Sequence, residues 1–249
     1  IFRHALWDMA IRQLKAKYAG SKLGIWWAVI TPLLLAASIN FVFTTIFKIE
    51  IPNYTLFVMT GIIPWFFFTN ALIEATNSII VNASILKQSL LPREFIPISS
   101  ILANLLNFLI GLIFLLPLFL ILNFKVIKFL LFLFPVILFH FLFILGLGVL
   151  FSLVNVFFRD LSHFLSFGFM ILFWITPIFY SLEMLPSKFQ WLPFFNPMTY
   201  YIILYQNILF QAVIPSASII FAAFLISLSS FLIGYLVFIK NEQVLLKRI

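Results

Sequence analysis

The chain has 249 residues, of which 64% are hydrophobic and 9% are charged, and it contains no cysteine. An ordinary soluble domain is about 25% charged, so composition excludes a chain that covers itself with polar surface in water. The net charge of +8 does not indicate a nucleic-acid partner, because the basic residues lie beside the ends of apolar runs, where they set membrane topology and contact anionic headgroups.

Long uncharged runs indicate which class of protein this is. About 20 apolar residues cross a bilayer as a helix, and the runs 24–47, 51–73, 95–124, 129–158, 161–182 and 189–239 all reach that length. They are apolar on every face, whereas the strands of a membrane barrel alternate over about ten residues. The sequence therefore predicts an all-α polytopic membrane protein, with residues 1–249 forming a single transmembrane domain.

Residues 1–22 differ from the rest because their charges and apolar side chains separate on a helical wheel. Asp8, Arg12 and Lys15 lie opposite an apolar stripe at four-residue spacing, which consists of Phe2, Leu6, Ala10, Leu14 and Tyr18. This pattern predicts an amphipathic helix flat on the membrane surface, with Trp7 and Tyr18 at headgroup level.

Five spans follow in order, at residues 25–47, 54–80, 98–123, 129–156 and 161–182. Between the second and third, residues 82–94 are more polar and predict a compact loop with a short amphipathic helix. Lone polar groups inside the spans call for partners, because a charge inside a membrane is costly. Glu74 is therefore a gating candidate, or a carboxylate hydrogen-bonded to a neighbouring helix near the inner interface.

Other polar residues in the spans favour packing roles. Asn104 and Asn107 share a helix face and predict interhelical hydrogen bonds. His140 has no second ligand at metal-binding spacing, so no metal site is expected. The glycines of Gly146-Leu147-Gly148 indicate close helix packing.

The last run, 189–239, could hold two full crossings, but these would leave Lys240, Lys247 and Arg248 outside, against the positive-inside rule. Four residues that interrupt helices punctuate its first half: Pro193, Asn196, Pro197 and Pro215. Residues 189–214 therefore predict a re-entrant hairpin of two short helices on the outer side, followed by a sixth span at 216–239. Irregular backbone at that depth must be covered by protein or line a wet cavity.

Lysine and arginine counts set the orientation. With both termini cytoplasmic, eleven of the fifteen basic residues lie inside and four, at positions 48, 125, 128 and 188, lie outside.

Aromatic residues make up 19% of the chain, including 35 phenylalanines. Aromatic residues cluster around the outer end of the fifth span and the hairpin. Because sugar rings can slide over aromatic faces, this cluster is a candidate translocation path. Its members are Trp174, Phe179, Tyr180, Trp191, Tyr200 and Tyr201.

No nucleotide-binding loop of the form G-x-x-x-x-G-K-[ST] is present, since Gly20-Ser21-Lys22 is followed by Leu23 and lacks the upstream glycine. If transport is driven by ATP, the ATPase is another chain.

Several motifs, in this order, resemble the permease subunits of ABC transporters that export polysaccharides and polyol phosphates, such as O-antigen, capsule and teichoic acid. The similarity spans nearly the whole chain. Its carriers are Lys17-Tyr18, Ser21, Leu23-Gly24, Trp27, Pro32-Leu33, Leu91-Pro92-Arg93-Glu94-Phe95-Ile96-Pro97, Phe158-Arg159-Asp160-Leu161, Pro177-Ile178-Phe179-Tyr180 and Phe195-Asn196-Pro197-Met198-Thr199-Tyr200.

The resemblance implies a homodimer of six-span permeases in the bacterial inner membrane, bound to two cytoplasmic ATP-binding subunits, that passes a lipid-linked glycan through a central channel. It implies no cofactor in this chain, with ATP and magnesium on the partner ATPase, and no catalytic residue here. By position, the residues implied to couple to the ATPase are Arg12, Lys15, Lys87, Arg93, Glu94, Arg159 and Asp160.

Three alternatives stay open at this point. A drug, lipid or haem exporter uses a similar permease, although the aromatic hairpin favours the glycan branch. An intramembrane glycosyl- or acyltransferase needs a polar catalytic set, and neither paired intramembrane carboxylates nor H-E-x-x-H occurs in the sequence. A passive channel does not require the contact surface predicted for residues 1–22 and 82–94.

Overall fold

The computed structural model describes residues 2–49, 51–88 and 92–245, and all regular structure in these ranges is helical. The described chain forms α1 (Phe2–Lys17), α2 (Trp27–Asn40), α3 (Tyr54–Val81), α4 (Ala83–Gln88), α5 (Phe95–Leu122), α6 (Leu130–Phe157), α7 (Leu161–Ile175), α8 (Met198–Gln206) and α9 (Ala217–Leu245). The all-helical prediction is confirmed for these residues. Residues 89–91 of the predicted coupling segment, and Lys247 and Arg248 of the charge count, lie outside the described residues.

Five helical segments are long and apolar enough to cross a membrane. They are Gly24–Ile46, which joins α2 to its flanking turns, Tyr54–Val81, Phe95–Leu122, Phe124–Phe157 and Ala217–Glu242. At about 1.5 Å per residue, the 28 residues of α3 extend roughly 42 Å, enough for the roughly 30 Å hydrocarbon core with its headgroup regions.

Helix α3 is the centre of the bundle. Its most apolar stretch is 78% buried, against 11% to 39% for the other four segments. It packs against α2, α5, α6, α7 and α8. These five helices therefore surround α3, and the bundle leaves much apolar surface outward, as expected for a chain that sits in lipid.

The predicted fifth span, 161–182, is helical only as far as Ile175. Thr176 has an extended backbone with ψ of 137°, because the ring of the following Pro177 disfavours helical geometry in the residue before it. The apolar helix α7 is thus 15 residues long, and an extended segment follows it.

The predicted hairpin also differs in detail. In place of two short helices, a 3₁₀ turn at Leu192–Phe195 leads into α8, which continues directly as a π-helical turn at Asn207–Gln211. The side chain of Asn196 accepts a hydrogen bond from the backbone N–H of Met198 at 3.1 Å and donates one to Thr176 Oγ1 at 2.7 Å. Asn196 therefore braces the turn before α8 and ties it to the end of α7.

Helices α6 and α9 pack through glycine. A Cβ added to Gly146 would lie 2.2 Å from the backbone oxygen of Ser230, and one added to Gly234 would lie 2.0 Å from that of Gly146. Ser230 Oγ also donates to the backbone oxygen of Phe143 at 2.9 Å. The close-packing role predicted for Gly146 is confirmed.

Several helix ends meet at one end of the bundle. One buried apolar cluster joins the end of α3, α4, the start of α5, the end of α6 and the end of α9. It consists of Ile79, Leu86, Ile96, Val149, Leu153, Phe238 and Leu245. We call this the terminal end of the bundle, since α9 finishes there.

Candidate functional site

A polar pocket opens between the end of α1, the start of α2 and the facing sides of α3 and α5. Its volume is about 190 Å³, and its lining includes Lys17, Trp27, Thr31, Asn70, Asn104 and Asn107, with the rings of Phe66, Phe67 and Phe108. Polar side chains converge here inside helices that are otherwise almost wholly apolar. The pocket is therefore the strongest candidate site within the spans.

An ion pair closes the pocket toward the terminal end. Lys17 Nζ lies 2.8 Å from Glu74 Oε1 and donates to Asn104 Oδ1 at 2.7 Å, while Asn104 Nδ2 donates to Glu74 Oε2 at 2.7 Å. The three side chains come from α1, α3 and α5, so the ring of contacts joins three helices. Glu74 thus has the neighbouring-helix hydrogen bond that the sequence offered as one interpretation, together with a cation. Its gating role stays a prediction.

The network lies some distance into the bundle. Glu74 is seven residues before the end of α3 and Asn104 nine residues after the start of α5. At 1.5 Å per residue these positions are about 10 and 14 Å from the terminal end. Because a lone charge at such depth is costly, the pairing explains how Glu74 is held there.

Helix α1 packs against α5, so one of its sides contacts protein. Gln13 Nε2 donates to Ser99 Oγ at 2.9 Å, and the hydroxyl of Tyr18 donates to Asn107 Oδ1. Burial raises the pKa of Tyr18, so its hydroxyl stays protonated and remains a donor. Ala10 of the predicted apolar stripe is buried, whereas Trp7 is 49% exposed. Tyr18 thus contacts protein, and its predicted place at headgroup level stays a prediction.

The predicted coupling residues lie in α1, in α4 and in the turns before α5 and α7. Arg12, Lys15, Lys87, Arg159 and Asp160 are exposed, and Glu94 is half-buried just before α5. Arg93 differs from them, because its Nη1 lies 2.9 Å from Glu242 Oε1 and 3.3 Å from the backbone oxygen of Glu242. Arg93 therefore already ties the start of α5 to the end of α9.

The six rings of the predicted aromatic path do not form one continuous surface. Trp174, Phe179 and Tyr180 contact one another in sequence, with ring centroids 5.2 and 5.3 Å apart. Trp174 and Trp191 are 60% and 55% exposed, but Phe179 and Tyr201 are buried. Tyr200 packs on Phe194 instead. The structure thus gathers three of the six rings and leaves their role in a path a prediction.

Tyr201 belongs to a buried aromatic cluster around His140. The imidazole stacks on Tyr201 at 5.0 Å between centroids, and its Nδ1 lies 3.3 Å from the hydroxyl of Tyr205. Within the described residues, no three His, Cys, Asp or Glu side chains are grouped so that they could hold a metal ion. His140 fills the core in the way its isolated position in the sequence indicated.

Sequence reasoning missed two residues of the pocket region. Lys17 was counted toward topology and within a family motif, but not as the partner of Glu74. Asn70, an exposed amide near the middle of the most buried helix, was not singled out. A polar residue inside an apolar span was a signal for Asn70; nothing local links positions 17 and 74.

Together, the membrane-length helices and the polar groups paired within their bundle define a multi-pass helical membrane protein. Residues 4–210 match the model of the family described as ABC-2 type transporter. The chain belongs to that family, whose members are transport permease subunits that normally work with ATP-binding subunits.

Curated relatives agree with this assignment. The chain is 34% identical over 204 residues to an O-antigen export system permease protein RfbA of Klebsiella pneumoniae, a match that covers 82% of this chain and 79% of the relative. It is 30% identical over 227 residues to the protein of that name from Myxococcus xanthus, covering 87% of this chain and 84% of the relative. The expected resemblance to polysaccharide-exporter permeases is confirmed.

Proposed function

We propose that this chain is the channel-forming permease subunit of an ATP-driven exporter that moves a lipid-linked polysaccharide of the O-antigen type across the bacterial inner membrane. The observation that carries the proposal is the 34% identity with an O-antigen export permease over about four fifths of both chains. The family match over residues 4–210 supports the transport role.

The proposed membrane arrangement has six spans with both termini in the cytoplasm, and α1 at the inner interface. Helix α7, at about 1.5 Å per residue, reaches roughly 22 Å, less than the roughly 30 Å core. The extended segment after Ile175 then completes the fifth span, and α8 with its π turn forms the re-entrant element on the outer side. Basic residues near the terminal end support this orientation.

The proposed assembly is a homodimer with two cytoplasmic ATP-binding subunits, which carry the ATP and magnesium. A single chain packed around α3 encloses too little space for a polymer, so two copies are needed to form a channel. Five exposed charges and the half-buried Glu94 are suited to contact the ATPase, because solvated side chains are free to pair with a partner: Arg12, Lys15, Lys87, Arg159 and Asp160. Trp174, Tyr180 and Trp191 are the rings proposed to contact the passing glycan. Glu74 is proposed to take part in gating the channel.

Genetic replacement tests the function directly. A strain of an O-antigen producer that lacks its own permease is given this chain together with the ATP-binding subunit of its source organism, and surface polysaccharide is measured by immunoblot. We expect restored surface glycan and co-purification of the ATPase in mild detergent. Accumulation of glycan inside the cell despite a folded, membrane-inserted chain, or purification of the chain without any ATPase, contradicts the proposal.

A further inference from the structure

The polar pocket contains hydrogen-bonding groups that the protein does not use. Among the described residues, neither the side-chain amide of Asn70 nor the hydroxyl of Thr31 has a hydrogen-bond partner, and Asn107 uses only its oxygen, which accepts from Tyr18. Asn70 is exposed and lies near the middle of α3. Free amides at this depth are costly against lipid, so the pocket is built to face a polar occupant.

The charges at the pocket cancel. Lys17 gives two of its three donors to Glu74 and Asn104, and its positive charge is balanced by the Glu74 carboxylate 2.8 Å away. A site for a phosphate group needs an uncompensated cation or several converging N–H donors. Besides the third ammonium N–H of Lys17, the remaining free groups are neutral amides and a hydroxyl, and with the charge already balanced they match a neutral ligand rich in hydroxyls.

Aromatic rings form the other wall. Trp27, Phe66, Phe67 and Phe108 line the pocket beside the free amides. Apolar CH faces pack on such rings while hydroxyls at the edge take hydrogen bonds, a combination of apolar walls and few polar groups that fixes a ligand's orientation. A lipid acyl chain satisfies the rings but leaves Thr31, Asn70 and Asn107 unpaired.

Size limits the occupant to one ring. The cavity of about 190 Å³ exceeds the roughly 30 Å³ that one water molecule occupies in the liquid. It is smaller than the roughly 300 to 1,000 Å³ of pockets for drug-sized ligands. It therefore holds a single ring-sized group and not a folded oligosaccharide.

We propose that this pocket is a sugar-binding subsite that takes one neutral pyranose ring of the exported glycan, with Asn70 and Asn107 as hydrogen-bonding residues and Trp27 as the stacking platform. The assignment rests on the proposed export function and adds a position along the route. It lies on the side of the bundle formed by α1, α2, α3 and α5, apart from the aromatic residues around the end of α7.

Cysteine chemistry tests the subsite, because the chain has no cysteine of its own. Asn70→Cys is expressed with the ATPase in two strains, one that makes the glycan and one blocked in its synthesis, and inverted membrane vesicles are treated with a hydrophilic maleimide. We expect several-fold slower labelling of N70C when glycan is present. Lys22→Cys, exposed in the α1–α2 link and outside the pocket, is the control and should label equally in both strains.

The labelling pattern separates the possible occupants. Equal labelling of N70C in both strains means that no glycan enters the pocket, and protection in both strains means that lipid or protein covers it; either result overturns the subsite. If the wild-type chain restores export in the replacement experiment while one of these patterns is seen, only the subsite fails. If the wild-type chain exports nothing, the proposed function fails and the subsite with it.

Stimulation of the ATPase by lipid-linked glycan, measured with Asn70→Ala and Asn107→Ala, is the functional test. Loss of one hydrogen bond to the sugar should raise the lipid-linked glycan concentration for half-maximal ATPase stimulation about three- to tenfold. Thr69→Ala, next to Asn70 but bonded to the backbone of Trp65 and outside the pocket, should leave it unchanged. An equal effect of all three variants, or none from N70A and N107A, contradicts sugar binding; elution from size-exclusion chromatography checks folding.

Discussion

Lys17 and Glu74 are 57 positions apart in the sequence, yet Lys17 Nζ lies 2.8 Å from Glu74 Oε1. The pair connects α1, which lies beside α5, to the central helix α3. Asn104 bonds to both partners, so neither charge depends on the other alone. The N-terminal helix is therefore bound into the bundle at a defined height.

Replacing Lys17 by Met should destabilise the protein, because the Glu74 carboxylate then keeps only the Asn104 amide. The side chains are 26% and 41% exposed, so the expected loss lies between that of surface and buried pairs, roughly 1–3 kcal/mol. Thermal unfolding in detergent, followed by size-exclusion chromatography, measures it. Lys15→Met, on the exposed face of α1, is the control, and an equal loss there shows that the pair itself contributes nothing.

The crossing of α6 and α9 should tolerate no side chain at its glycines. Gly146→Ala and Gly234→Ala each place a Cβ within about 2 Å of facing backbone atoms, and overpacking of this kind costs roughly 1–3 kcal/mol, occasionally more. We expect less folded protein and a lower midpoint of thermal unfolding for both. Gly168→Ala, which meets no atom within 4 Å, should fold like the wild type. Normal stability of G146A means that the two helices do not cross here.

Asn196 should control the start of α8. Its alanine variant removes the acceptor for the Met198 N–H and the donor to Thr176 at once, and each such hydrogen bond contributes about 0.5–1.5 kcal/mol. Thermal unfolding should reveal this loss, while Asn196→Ser, which keeps an acceptor, should recover part of it. The exposed Gln190→Ala serves as a neighbouring control. No difference between N196A and Q190A excludes a structural role for the motif.

Local signals in the sequence were enough for the long helices. The second span was predicted at 54–80 and α3 runs Tyr54–Val81, because polar residues bound a long and mostly apolar stretch in which Glu74 is the one charged residue. Pro177 marks the end of α7 in the sequence. The span was nevertheless predicted to residue 182, because the apolar run continues past the proline. The pairing of Lys17 with Glu74 was not readable, because it depends on how α1 docks against α5. Residues brought together by tertiary packing leave no periodic trace in one sequence.

Arg93 offers a test of whether coupling acts within the chain or across to the ATPase. Its guanidinium pairs with Glu242 at the end of α9, so Arg93→Glu should create repulsion and lower the midpoint of thermal unfolding. The exchange R93E/E242R should restore that midpoint, because the pair is remade with its charges reversed. Lys87→Glu, exposed in the same region, controls for charge alone.

R93E and R93E/E242R, reconstituted with the ATPase, separate two roles for Arg93. If it acts by joining α5 to α9, ATP hydrolysis coupled to export should recover in R93E/E242R together with stability. If it also contacts the ATPase, stability recovers and coupling does not, since a reversed charge at position 93 cannot replace the arginine in that contact. Failure of the exchange to recover even stability contradicts the Arg93–Glu242 pair, and the start of α5 would then be held by the apolar cluster around Ile96 alone.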